Sequence, residues 1–243
     1  MKKTFYAMAL ALVGLSSCTN EVLNDVDAMG TIVLSVSNDE QVTRAAQTVE
    51  DLSAWIVKAN DGSKDISLTT TSTKVKAGTY SITAMSHTDA VAALAANNGW
   101  GAAYYEGFAE DIVVAAGQTA TAEISCGKAK NGRITTSFNL AAVFTDVSIT
   151  LDRNLTFKKE NENQKAYFAP SEVSYTLKYK YNGSNEISKQ GTVVVAAATE
   201  HIISVSSNSN GTITVNITYD DTFEDGKDQN INFDAATGEE VQK

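Results

Sequence analysis

Short runs of alternating apolar and polar residues recur along the chain. Each run places apolar side chains at every second position, which is the period of a β-strand with one face on a core and one face in water. Threonine and valine, which strands favour, are frequent in these runs. The pattern is clearest in four runs: residues 32–36, 147–151, 175–181 and 213–219.

Turn signals separate the alternating runs. The Asn-Gly pairs at 131–132, 182–183 and 210–211 accept a positive φ at low cost, as does Asn-Asp-Gly at 60–62. Strands at this spacing predict an all-β fold of antiparallel β-sandwiches. Helix is scarce, and its best candidate is the alanine-rich run at 89–97, which either Thr88 or Asp89 can cap.

A short polar segment flanked by glycines, residues 127–132, divides the chain. Strand patterns end before it and restart after it, so we predict two tandem sandwiches at 45–127 and 131–243. The strand and turn at 112–117, which precede the strand at 119–126, resemble the strand and turn at 193–197, which precede the strand at 201–206. Duplication of one sandwich explains this similarity, and so does convergence of sandwich hairpins.

The N-terminus has the pattern of a bacterial lipoprotein. Two lysines precede an apolar run at 5–15 that is too short to span a bilayer as a helix. Cys18 follows two serines, so we expect the signal peptide 1–17 to be removed and the Cys18 thiol to take a lipid. The protein is then held outside the cytoplasm by acyl chains, with 18–44 as a tether and an N-terminal strand.

Composition narrows the classes of partner. The formal net charge is −10 and the predicted signal peptide carries two of the lysines, so we expect no nucleic-acid partner, because phosphates would be repelled. The hydrophobic fraction of 43% supports a packed core. If Cys18 is lipidated, Cys126 has no disulfide partner in the chain, and its place in an alternating run predicts a buried, unreactive thiol.

Recognisable catalytic and metal-binding motifs are absent from the sequence. His87 and His201 fit no ligand spacing, and no nucleophile elbow, phosphate loop or dinucleotide motif occurs. The acidic run 220–228 has oxygen ligands but not the EF-hand order, so a solvated loop is the preferred interpretation. We therefore expect no enzymatic activity, no metal and no cofactor.

Two further features allow a functional interpretation. Trp100, Tyr104 and Tyr105 lie among glycines, and flat aromatic faces on a loop can stack on sugars. They suggest an alternative function, a glycan-binding surface lipoprotein of a polysaccharide-uptake system, although packing at one end of a sandwich is the favoured interpretation. Arg44 and Ala45 lie in an acidic stretch and form a candidate protease site, with a solvated loop arginine as the other interpretation.

Several segments of the sequence, taken together, resemble a known group of proteins. The lipoprotein signal, the strand at 30–37 and Val42-Thr43-Arg44-Ala45 resemble the start of fimbrillin-like lipoproteins from Gram-negative gut and oral anaerobes. Ala-Gly-Thr-Tyr at 77–80, Tyr-Tyr-Glu-Gly at 104–107 and Ala-Gly-Gln-Thr at 116–119 resemble an uncharacterised lipoprotein family of the same group.

The resemblance implies two transthyretin-like, Greek-key sandwiches, an outer-membrane lipid anchor at the cell surface and trimming after Arg44. Trimming removes the strand that carries Ile32, Leu34 and Val36, and a pilin-like subunit fills the resulting groove by strand addition. The last six residues are too polar for a good donor strand. We therefore expect a non-enzymatic protein of adhesion or pilus assembly, an anchor, accessory or tip subunit, whose partners include other subunits, glycans or host surface molecules.

Overall fold

The computed structural model describes residues 28–39, 46–48, 52–209, 211–220, 229–234 and 236–240. Within these ranges the chain forms seventeen strands, one α-helix and four short 3₁₀ turns. The predicted all-β fold is therefore confirmed. The four clearest alternating runs of the sequence all lie in strands.

The first sandwich has two four-stranded sheets. In one sheet β1 is the central strand, with β8 parallel to it on one side and β2 and β5 antiparallel to it on the other. The second sheet is antiparallel, in the order β4-β3-β6-β7. The strands are β1 (Met29–Asp39), β2 (Ala46–Thr48), β3 (Ile56–Asn60), β4 (Asp65–Ser67), β5 (Ser72–Lys76), β6 (Gly78–Met85), β7 (Glu106–Val114) and β8 (Thr119–Ser125).

The second sandwich pairs a four-stranded sheet, β11-β10-β13-β14, with a five-stranded sheet, β12-β9-β15-β16-β17. Its strand β9 is parallel to β15. The strands are β9 (Gly132–Asn139), β10 (Phe144–Leu151), β11 (Leu155–Phe157), β12 (Ala166–Phe168), β13 (Ser171–Tyr181), β14 (Ile187–Val195), β15 (Glu200–Ser207), β16 (Thr212–Asp220) and β17 (Gln229–Asp234).

Each sandwich has its own core, built by the inward-facing half of every alternating strand. In β16, for example, Ile213, Val215 and Ile217 are fully buried, whereas Thr214 and Asn216 between them are not. Strand β1, which lies in the segment predicted as a tether and N-terminal strand (18–44), contributes Ile32, Leu34 and Val36 to the first core.

The helix forms close to its predicted place. Helix α1 (Ala90–Ala95) begins after Asp89, whose carboxylate accepts a hydrogen bond of 2.7 Å from the backbone N–H of Ala92. The four 3₁₀ turns span Leu52–Ala54, Asn97–Gly99, Asp152–Asn154 and Lys159–Asn161.

The two sandwiches repeat one topology. The order β1, β3, β4, β5, β6, β7, β8 corresponds to β9, β10, β11, β12, β13, β14, β15, both in chain order and in position within the sheets. The second sandwich adds β16 and β17 beyond β15. Each repeat contains one parallel pair, β1 with β8 and β9 with β15, which the prediction of antiparallel sandwiches did not include.

The correspondence extends to individual backbone hydrogen bonds. Gly117 donates its N–H to the carbonyl of Met29 at 2.8 Å, and Ala198 donates to Asn131 at 2.9 Å. Both donors have a positive φ, +70° at Gly117 and +57° at Ala198. The next backbone hydrogen bonds of the two parallel pairs also correspond. The N–H of Thr31 donates to the carbonyl of Gln118, and the N–H of Arg133 donates to the carbonyl of Thr199, both at 2.9 Å. Equivalent bonds in both halves favour duplication over convergence.

A glycine lies at or near the start of the first strand of each parallel pair. It is needed there because the backbone of the turn that precedes the second strand, the closing turn, comes very close. A Cβ at Gly30 would lie 2.5 Å from the carbonyl oxygen of Ala115, and a Cβ at Gly132 would lie 2.2 Å from that of Ala196. Side chains do not fit at such distances. Gly132 is therefore required by close packing, although its Asn-Gly pair resembles a hairpin turn.

We expect Gly132→Ala to destabilise the second sandwich by about 1–3 kcal/mol, because the new methyl group forces the backbone apart. Gly78→Ala is the matched control, since a Cβ there meets only a Tyr80 ring carbon at 3.8 Å and the backbone φ is ordinary. Urea unfolding followed by circular dichroism measures both. Equal midpoints for the two variants would contradict the packing role of Gly132.

Candidate functional site

Strand β1 and its two flanking strands form the candidate site. The backbone of β1 is hydrogen-bonded along both edges: Thr31 donates to Gln118 at 2.9 Å on one side, and Leu34 donates to Thr71 at 2.8 Å on the other. At its far end Cys126 donates to the carbonyl of Ser37 at 2.8 Å. An N-terminal strand therefore occupies the middle of its sheet.

The inward side chains of β1 complete the first core. Ile32 and Val36 are almost fully buried, and Leu34 is nearly so. They lie in the same cluster as Ala122 and Ile124 of the parallel strand β8. Burial of each large side chain is worth about 2 kcal/mol, so the first sandwich depends on β1. Without β1, an apolar groove would lie between β5 and β8.

The predicted lipid and protease sites lie outside the described residues. Cys18 precedes the first described residue, and Arg44 and Ala45 fall between the end of β1 at Asp39 and the start of β2 at Ala46. Along the sequence, the candidate cleavage site thus separates β1 from every other strand of its sandwich.

The three predicted aromatic residues are packing residues. Tyr104 is 6% exposed and Tyr105 is 9% exposed, and the Tyr105 ring stacks on Trp55 with 6.3 Å between centroids. Trp100 packs against the second core, with its ring edge-to-face on Phe157 at 4.9 Å. The three rings present no common exposed face, and their position matches the packing interpretation rather than a sugar platform.

The connection between β6 and β7 instead joins the two sandwiches. Its Trp100 carbonyl accepts a hydrogen bond of 2.8 Å from Tyr167 in β12. The guanidinium of Arg153 donates to the carbonyl of Leu94 in α1 at 2.8 Å and also to the carbonyl of Tyr167. Segments of both sandwiches therefore share hydrogen bonds.

Asn131 is the central residue of this junction. Its side chain is buried, accepts from the N–H of Tyr104 at 3.0 Å and donates to the carbonyl of Ala102 at 2.8 Å. Its own carbonyl receives the Ala198 N–H of the second sandwich. An Asn-Gly pair predicts an exposed turn, so no local signal in the sequence indicates this role.

The reactive side chains named from sequence do not form a catalytic group. Cys126 is 2% exposed, and burial raises the pKa of its thiol to about 11, so it stays protonated at neutral pH. His201 is buried, and its Nε2 accepts the N–H of Ala196 at 3.2 Å. His87 lies in the other sandwich, with Nδ1 3.2 Å from the hydroxyl of Ser86.

The described ranges contain neither a metal-binding cluster nor a membrane-spanning helix. No three His, Cys, Asp or Glu side chains there are placed to hold a metal ion. Of the acidic run 220–228, only Asp220 is described, as the last residue of β16. No helix in those ranges has the length and apolar character needed to cross a bilayer.

Comparison with known proteins decides the family. The family model described as domain of unknown function DUF4493 matches residues 28–234, which include both sandwiches from β1 onward. The chain belongs to the DUF4493 family. No curated protein matches it.

Two solved structures are similar to this DUF4493 chain. One is a "putative adhesin" from Bacteroides ovatus, with 9% identity, a TM-score of 0.36, and coverage of 81% of this chain and 96% of that one. The other is a leucine-rich repeat protein from Bacteroides thetaiotaomicron, with 11% identity, a TM-score of 0.25, and coverage of 73% and 26%. Both TM-scores are too low for either similarity to indicate the function of this chain.

The buried His201 makes a testable contribution to stability. Burial lowers its pKa from 6.5 to about 4, so the unfolded chain takes up a proton at a higher pH than the folded chain does. Stability present above pH 6.5 is therefore lost as the pH falls toward 4, by about 3 kcal/mol in total.

We expect His201→Gln to remove this part of the pH dependence, because glutamine keeps an acceptor for the Ala196 N–H but does not titrate. Urea unfolding at pH 7 and pH 4 measures the difference, with His87→Gln as the control that follows the wild type. Equal losses in wild type and His201→Gln would show that His201 does not contribute.

Proposed function

We propose that this DUF4493 chain is a non-enzymatic, lipid-anchored protein of the outer membrane, of fimbrillin-like type, that serves adhesion or pilus assembly as an anchor, accessory or tip subunit. Cys18 takes the lipid and holds the precursor at the membrane. Cleavage after Arg44 leaves the two sandwiches joined to that anchor only through the packing of β1, and they are released when β1 leaves its sheet. A strand of another subunit then takes the position of β1.

The observation that carries this proposal is the position of β1. It is the strand nearest to Cys18 in the sequence, yet it lies in the middle of a sheet with both edges hydrogen-bonded. Once the chain is cut between Asp39 and Ala46, β1 is held by hydrogen bonds and burial alone. Such a strand can be replaced by another strand that makes the same bonds.

The groove defines the chemistry of its second occupant. The replacing strand needs three apolar side chains at alternate positions, matching Ile32, Leu34 and Val36, which fill the first core. It must run parallel to β8 and antiparallel to β5 to use the same backbone groups.

A donor strand needs alternating apolar side chains, and the stretch near the C-terminus that has them, residues 230–233, is engaged in the chain's own fold. Residues 230–233 lie in β17, which pairs antiparallel with β16, and Phe233 is buried in the second core. A chain that offers a groove but keeps this strand fits an anchor, accessory or tip subunit better than a stalk subunit. Burial of Tyr104 and Tyr105 disfavours the glycan-binding alternative and leaves the half-buried Trp100 as the accessible ring of the three.

The anchor is tested in the native envelope. We expect the full chain to be labelled by radioactive palmitate and to fractionate with the outer membrane. Cys18→Ala should lose the label and appear in the soluble fraction, and Cys126→Ala, the matched control for the second cysteine, should keep it. Equal labelling of Cys18→Ala would contradict lipidation at that residue.

Strand replacement is tested on the lipid-free chain that carries Cys18→Ser. An arginine-specific protease should cut after Arg44, because Arg133 is buried and Arg153 is held by two backbone carbonyls. In mild denaturant the cut protein should take up a fluorescent peptide of residues 29–39. A peptide with asparagine at the positions of Ile32, Leu34 and Val36 should not bind.

Two controls complete this experiment. Arg44→Gln should stay uncut and take up no peptide, because β1 remains tethered next to its own groove and outcompetes a free peptide. Uptake that is equal for the two peptides, or cut protein that binds neither, would contradict the exchange of β1.

A further inference from the structure

The outer edge of β8 is open. Hydrogen bonds to β1 involve the even-numbered positions at its two ends, Gln118 and Cys126. Because strand residues alternate in direction, the N–H and C=O groups of the odd-numbered residues point away from β1. Among the described residues no strand pairs with that side. Thr119, Thr121 and Glu123 present these groups openly, whereas Gly107 of β7 lies against the carbonyl of Ser125.

The other strands at sheet edges carry features that discourage pairing. Strand β7 has a bulge opposite 80–82, with Asp111 at φ +56°. Strands β5 and β14 carry lysines, β2, β4, β11 and β12 are only three residues long, and β17 is bridged at Phe233 by Glu240. Strand β8 has seven residues, no proline, no lysine and an unbroken register with β1. An edge of this kind is a template for another strand.

The second sandwich shows what fits this edge. There β15, the equivalent of β8, pairs along its whole length with the antiparallel strand β16, from Glu200 opposite Asp220 to Ser207 opposite Ile213. The first sandwich has no counterpart of β16 in the described chain. The repeat therefore indicates that an antiparallel strand fits beside β8.

The sequence of β8 itself resembles that of β16. Residues 119–125 are Thr-Ala-Thr-Ala-Glu-Ile-Ser, and residues 212–218 are Thr-Ile-Thr-Val-Asn-Ile-Thr. Both strands alternate small or β-branched apolar residues with small polar ones, and both place threonine first and third and isoleucine sixth. The strand with the right chemistry to lie beside β8 is thus β8 of a second copy.

We propose that two copies of this chain pair through their β8 edges, antiparallel about a twofold axis, so that two four-stranded sheets become one continuous sheet. A twofold interface needs a self-complementary surface, and two identical strands that pair antiparallel through their free outward groups provide one. This contact lies on the side of β8 opposite to β1, so it is separate from the exchange of β1 proposed above.

Charge and the number of paired residues together select the register. With Ala122 on the axis, Thr121 of each copy lies opposite Glu123 of the other, and the pairing extends outward toward Thr119 and Ser125, where β7 lies against the Ser125 carbonyl. A shift by two residues in one direction would place the two Glu123 side chains opposite each other, where like charges repel. A shift in the other direction would leave only residues 119–123 paired.

The dimer is tested by sedimentation equilibrium of the lipid-free chain carrying Cys18→Ser. We expect a concentration-dependent dimer in the wild type and in Thr121→Ala, which keeps the backbone N–H. Thr121→Pro should be monomeric, because proline removes an outward donor and obstructs the edge while leaving the bonds to β1 in place. Its unfolding midpoint should stay near that of Thr121→Ala, which shows that the fold is intact.

A pair of charge variants tests the register. Thr121→Lys places a lysine opposite Glu123 of the partner at two symmetric positions and should lower the dissociation constant about fivefold, whereas Thr121→Glu should raise it about fivefold. Hydrogen exchange at the amides of Thr121 and Glu123 should slow in the dimer. A wild type that stays monomeric at all concentrations, or a dimer that persists in Thr121→Pro, would overturn the proposal.

Discussion

Each sandwich is closed by hydrogen bonds between a strand at its start and a parallel strand at its end. The bond from Gly117 to Met29 and the bond from Ala198 to Asn131 hold the same place in the two repeats. They require glycine at positions 30 and 132, because the closing turn passes within contact distance of the opening strand. The cores, the groove around β1 and the open edge of β8 all follow from this closure.

The same closure ties the two repeats together. Asn131 lies one residue before the second opening strand, so its carbonyl takes part in the closing bond of the second sandwich. Its side chain points back and holds the backbone of Tyr104 and Ala102 in the first sandwich. One residue therefore satisfies polar groups of both sandwiches, and an apolar replacement would leave those groups without partners.

Local patterns predicted the strands well. The alternation at 32–36 and 213–219 needs only neighbouring residues to be recognised, and the Asp89 cap of α1 is a local signal of the same kind. The pairing of β1 with β8 joins residues almost ninety positions apart, and nothing in either strand indicates a parallel partner.

The candidate site was predicted less completely, for a physical reason. Burial of Tyr104 and Tyr105 depends on which segments fold over them, and glycine-rich surroundings are as typical of a tight junction as of an exposed loop. Asn131 and Arg153 act through backbone carbonyls of distant segments, and such contacts leave no spacing in the sequence. The residues Cys18, Arg44 and Ala45 lie outside the described ranges and stay predictions.

The position of β1 also constrains how the protein is made. A chain is synthesised from its N-terminus, so β1 leaves the ribosome before β5 and long before β8. Its sheet cannot close until residue 125 has emerged, and pairing across such a long stretch of chain is slow. During that interval the apolar face of β1 has no core to enter, so the newly made chain passes through a stage in which this strand is open to chaperones, proteases and other strands.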